Sequence, residues 1–86
     1  MNTTMLAELD LAIPDMMTVA AESQARLALR HLPGIKETRL MAQGAWISYD
    51  PAAISHSEIV EALRESGLRA GTFQDSATGK LGHYTA

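Results

Sequence analysis

The 86-residue chain contains no cysteine, which removes every disulfide and every thiolate metal ligand from consideration. It has no run near the roughly 20 consecutive apolar residues that a membrane-spanning helix requires. Basic charge is not in excess either: seven Lys and Arg stand against ten Asp and Glu, a formal net charge of −3. The electrostatic footprint of a DNA- or RNA-binding surface is therefore missing. The first residues, MNTTMLAELD, lack the basic start and apolar block of a signal peptide, so a cytoplasmic or cytoplasm-facing location is the expectation. Thr18, Ser23, Ser55 and Ser57 have no histidine–carboxylate arrangement around them that spacing reveals. The TGK at Thr78 to Lys80 lacks the earlier glycine and the strand of a phosphate loop. An enzyme is not expected.

What is present is enough apolar material for one small core. Hydrophobic residues make up 47% of the chain, which argues against disorder, and the length allows one domain at most. The stretch from Leu9 to Leu32 organises the rest. Leu9, Leu11 and Ile13 alternate with Asp10 and Ala12, the period-two signature of a half-buried strand, which predicts a strand over Ala7 to Ile13. Pro14 and Asp15 break that pattern. Ala21, Ala25, Ala28, Leu29 and Leu32 then fall on one face of a 3.6-residue helix spanning Val19 to His31. Thr18 suits its N-cap, and Pro33-Gly34 ends it, with Gly34 suited to the left-handed step beyond the C-cap.

The next segment, IKETRLMAQGAWISYD, reads as a hairpin turning at Gln43-Gly44. That turn sets Ala42 opposite Ala45, Leu40 opposite Ile47 and Thr38 opposite Tyr49, and with Ile35 these form the face to be covered. The other face pairs Met41 with Trp46 and Arg39 with Ser48. Beyond Asp50-Pro51, Ser55 or Ser57 caps a second helix, and Ser55 with Glu58 forms a capping box. Its buried face is Ile59, Ala62 and Leu63, and Gly67 stops it. Glu58, Glu61 and Glu65 surround Arg64 as a solvated face. A final strand is predicted over Leu68 to Phe73. Residues 6–73 are thus one domain, and 74–86, polar and small, read as a flexible tail or linker.

The order β-α-β-β-α-β with right-handed crossovers predicts an α+β, ferredoxin-like sandwich. It has a four-stranded antiparallel sheet of order 4-1-3-2 and both helices on one face. The other sheet face is left open.

Three motifs then resemble those of a known family. ALRHLPGI at Ala28 to Ile35, WISYDP at Trp46 to Pro51 and ESGLRA at Glu65 to Ala70 are similar, at matching spacing, to segments of the heavy-metal-associated (HMA) domains. Those domains read GMTCxxC, a helix ending ALxxLPGV, a hairpin into VxYDP and a helix into AGYxA. They occur as copper chaperones, as a mercury-binding periplasmic protein and as N-terminal modules of metal-pumping P-type ATPases. The resemblance covers about Leu9 to Ala70 and implies a setting in heavy-metal binding or transport, with a metal-transport ATPase or a second copy of the chain as partner. Aligned from LPG backwards, Asp15 stands on the family glycine, Met16 on its methionine, and Thr18 and Ala21 on the two cysteines. Leu68 stands on the aromatic after the second helix.

The departure falls on the ligands. Two thiolates from one loop grip a soft cation strongly, whereas a threonine hydroxyl is a poor soft-metal ligand and alanine is none. Structural zinc sites in thiolate and imidazole peptides reach an apparent ~10–16 kcal/mol, and one hydroxyl does not. Tight thiolate binding is therefore not expected at Met16, Met17, Thr18 and Ala21, the residues on the family loop. Two readings stay open. In one, Met17, with Met16 or Met41, holds a weak thioether Cu(I) site near Trp46, or Zn(II) is held weakly. In the other, Met16 is a core residue, Met41 and Trp46 pack as a cross-strand pair, and the open face serves protein contact, regulation or oligomerisation. His31 and His56 are either a weak Zn(II) or Ni(II) pair, or His31 serves as a cation at the C-terminus of its helix, and His83 is solvated.

Overall fold

The computed structural model describes residues 5–72; the expected tail at 74–86, with His83, lies outside them. Six elements follow in order: β1 (Ala7–Ala12), α1 (Val19–Arg30), β2 (Ile35–Met41), β3 (Gly44–Tyr49), α2 (His56–Glu65) and β4 (Gly71–Thr72). The strands form one antiparallel sheet of order β2-β3-β1-β4, which is the expected 4-1-3-2 read from its other edge. Among the described residues no helix is long and apolar enough to cross a membrane.

One core joins sheet and helices. Leu9, Leu11 and Ile13 of the β1 segment meet Ala45, Ile47 and Tyr49 of β3 beneath Ala21, Ala25 and Leu29 of α1 and Ile59 and Leu63 of α2. Each of these faces follows from the residue period of its element. Val60 is buried where Ala62 was expected, and Ala62 is half-buried. Ile54 on the β3–α2 connection and Leu68 and Ala70 beyond α2 complete the core. Both helices start on side-chain caps. The Thr18 hydroxyl accepts the Ala21 N–H at 3.0 Å. Ser55 and Glu58 form the reciprocal capping box, at 3.1 and 3.0 Å.

The hairpin departs from its expected register. Met41 pairs with Gly44, Leu40 with Ala45, Arg39 with Trp46 and Thr38 with Ile47. The two-residue turn is therefore Ala42-Gln43 rather than Gln43-Gly44, and every expected partner is displaced by two. A slip of two leaves each side chain on its face, because strand side chains alternate with period two. Leu40, Thr38 and Ile47 thus remain on the helix side. Ala42, placed in the turn, is exposed. The physical reason lies in Gln43, which takes the left-handed step itself (φ 57°) and is held there from outside the hairpin, as described below. A bulge between Ile35 and Glu37 then brings Ile35 opposite Tyr49.

The last strand begins at Gly71 rather than at Leu68; Phe73 lies outside the described residues. Side chains divert the backbone groups a longer ladder would use. The Arg69 N–H goes to Asp15 Oδ2 at 2.8 Å, and the Ala70 carbonyl accepts from Arg64 Nε at 3.2 Å.

Candidate functional site at the β1–α1 loop

The loop between β1 and α1 starts where the strand pattern ends, at Ile13. Its backbone folds tightly: Met16 N–H donates to the Ile13 carbonyl and Met17 N–H to the Asp15 carbonyl, both at 2.9 Å. Met16 turns inward and is 4% exposed, whereas Met17 is 73% exposed. Thr18 caps α1, so its hydroxyl already faces the helix N-terminus as an acceptor. Ala21 sits one turn into the helix and is buried. The residue on the first expected cysteine position is thus a capping residue, and that on the second is part of the core.

Two neighbouring segments hold this loop. The Asp15 carboxylate accepts from Arg69 three ways: from the backbone N–H at 2.8 Å, from Nη2 at 3.1 Å and from Nε at 3.2 Å. On the other side, Ile13 N–H donates to the Gln43 carbonyl at 2.9 Å and Gln43 N–H to the Met16 carbonyl at 3.2 Å. The Gln43 side-chain amide adds a bond to the Pro14 carbonyl at 3.1 Å. The hairpin tip is thereby joined to the loop, which explains both the turn position and the non-glycine left-handed residue.

Between tip and loop lies an open cleft of about 450 Å³, lined by Met16, Met17, Thr18, Val19, Met41 and Gln43 among others. Val19 is 81% and Met41 50% exposed, so with Met17 the rim carries three large apolar side chains. The structure therefore brings together Met16, Met17, Thr18 and Met41. Ala21 and Trp46 do not line this cleft.

Trp46 has a different setting from the one expected. It lies directly opposite Arg39 on one side and Asp10 on the other, not opposite Met41. The Arg39 guanidinium sits 5.3 Å from the ring centroid, and the indole N–H donates to Glu8 Oε1 at 3.2 Å. This is a half-buried indole with a cation over its ring and a satisfied donor. Met41 stays on the same sheet face, opposite Gly44.

The histidines lie elsewhere. His31 caps the C-terminus of α1 and His56 opens α2. The shallow depression that His56 lines does not include His31. Among the described residues no group of three or more His, Cys, Asp or Glu side chains is placed to hold a metal ion.

The Asp15–Arg69 contact was not legible beforehand. Its partners are 54 residues apart, with no local periodicity to link them. The one available signal was the acidic residue standing where the family motif has glycine.

No protein-family model matches the chain, and no curated protein does. Solved structures do. A Bacillus anthracis protein described as a copper-ion binder superposes with a TM-score of 0.74 at 13% identity, over 80% of this chain and all of that one. Oxidized MerP from Ralstonia metallidurans gives 0.73 at 17% identity, over 78% and 96% of the two chains. The Cu(I)-loaded N-terminal domain of a potential copper-translocating P-type ATPase from Bacillus subtilis gives 0.71 at 18%, over 79% and 88%. The chain has the heavy-metal-associated fold. Within that HMA fold it carries no cysteine, so the CxxC pair is absent. At these identities the likeness establishes the fold, and the loop chemistry has to be read from this chain's own residues.

Proposed function

We propose that this chain is a non-enzymatic HMA-fold module of a heavy-metal transport system that works by protein contact at its loop end, without thiolate metal binding. The observation that carries the reading is the fate of the loop positions. Thr18 caps a helix, Ala21 is core, and the large apolar side chains left exposed at this end are Met17, Val19 and Met41. Methionine suits such a rim because it is flexible, polarizable and enriched at interfaces. The occupant we assign is the N-terminal domain of a metal-transport ATPase, the context in which one of the matched structures occurs; a second copy of this chain is the alternative outcome.

The test is a shift-perturbation titration of the full chain with such a domain, alongside sedimentation of the chain alone. Perturbations confined to residues 16–19 and 41–43 are expected. They should be weakened about tenfold or more by Met17→Lys and kept by Met17→Leu, since leucine retains the apolar contact. Perturbations centred on the Trp46 face, or none with the chain also monomeric, would overturn the proposal.

One observation favours a second reading: three methionines, Met16, Met17 and Met41, line one cleft. Thioethers are soft ligands and suit Cu(I) better than Zn(II). A weak Cu(I) site there would be abolished by the Met17→Leu and Met41→Leu pair, which leaves apolar contact intact. The two readings thus separate in a single variant.

A further inference from the structure

The β1–α1 loop is held by protein groups on both flanks, and the bonds span most of the chain. Asp15 reaches forward 54 residues to Arg69, and Gln43 reaches back 29 residues to Pro14. Thr18 fixes the far end of the loop to the first turn of α1. Met16 and Met17 therefore lie between three anchored points. The Asp15–Arg69 contact combines a carboxylate–guanidinium pair with a charge-assisted bond to a backbone N–H, stronger than a neutral hydrogen bond. Both side chains are about one-third exposed (34% and 32%), so water screens the pair only in part.

We infer that Asp15 and Gln43 are positioning residues that present Met17 and Val19 independently of any bound ion, making the loop end a preformed contact surface. The inference rests on the loop-end reading above and adds what keeps that surface in shape. Preformation matters energetically because a partner meeting an ordered loop does not have to supply the ordering entropy of its residues. The same contact reaches the far edge of the sheet. The Arg69 N–H held by Asp15 lies two residues before β4, so the clasp also sets where the last strand begins. A glycine at position 15 would offer no acceptor for either the amide or the guanidinium.

Amide hydrogen exchange on the full chain tests this. The reporters are the N–H groups of Met16, Gln43 and Arg69, all bonded within this network. In the wild type they should be protected, with rates unchanged within about twofold by EDTA or by one equivalent of Ag(I). Asp15→Ala should speed exchange at Met16 and Arg69 about tenfold or more, while the core amides of Leu11 and Ile47 stay within about twofold. Asp15→Asn, which keeps an oxygen acceptor and drops the charge, should fall between the two. Unchanged Met16 and Arg69 rates in Asp15→Ala would overturn the inference, as would wild-type reporters that become protected only with Ag(I). If Asp15→Ala also loses core protection, Arg69→Gln replaces it: the backbone N–H bond survives, and Met16 exchange should still rise about threefold, with no rise counting against the inference. The two proposals fail separately. Met17→Lys should weaken partner contact about tenfold or more without changing Arg69 exchange, whereas a failed exchange result leaves the contact map standing.

Discussion

Gly34 shows how a single position constrains two segments at once. Its φ of +88° is a conformation that side chains resist. A Cβ built there would stand 2.8 Å from the Cβ of Ala53 and 3.1 Å from Cγ2 of Ile54. The Gly34 carbonyl also accepts the Asp50 N–H at 2.8 Å, so the exit of α1 and the β3–α2 connection are pressed together. Gly34→Ala should therefore cost about 1–3 kcal/mol, from left-handed strain plus overpacking. A lower urea midpoint with unchanged slope is the expected outcome. At the loop end, the residues on the family's glycine and cysteine positions have taken up other duties. Thr18 serves the helix, Ala21 the core, and Asp15 the Arg69 contact.

Among the elements, the helices were the most legible in the sequence. α1 and α2 start on the caps that Thr18, Ser55 and Glu58 announce, because capping is local chemistry written within four residues. Ser55→Ala should remove the hydroxyl half of the α2 box, leaving the backbone N–H of residue 55 to donate to Glu58, and cost about 1 kcal/mol, measured by chemical denaturation. Thr18→Ala should cost a similar amount, about 1 kcal/mol, because its hydroxyl accepts the Ala21 N–H. The strands were legible in their faces and not in their partners. Alternation assigned Leu40, Ile47 and Tyr49 to the core side, but a two-residue slip satisfies the same alternation. What selected the true register was Gln43, through bonds to Pro14, Ile13 and Met16 that lie outside the hairpin. The late start of β4 has the same origin, its approach being captured by Asp15 and Arg64. Long-range side-chain bonds carry no periodic signature, and it is these that shape the candidate site. Trp46 was likewise readable as a residue of the open face. The Arg39 and Glu8 groups that cover it came only with the register.

For the whole molecule, the HMA architecture is present with a loop end that lacks the cysteine pair. The fold superposes on solved structures at identities of only 13–18%. The fold is carried by the apolar periodicity of the core, and that periodicity is indifferent to what the loop presents. With no thiolate in the chain, the loop end offers three exposed apolar side chains and a clasped backbone. The measurement that bears most directly on this account is a Cu(I) competition titration of the full chain against a chelator of sub-nanomolar affinity. The chain is expected to leave the chelator loaded, with at most weak uptake that Met17→Leu and Met41→Leu together remove. Stoichiometric withdrawal of Cu(I) from that chelator, persisting in the methionine variants, would contradict it.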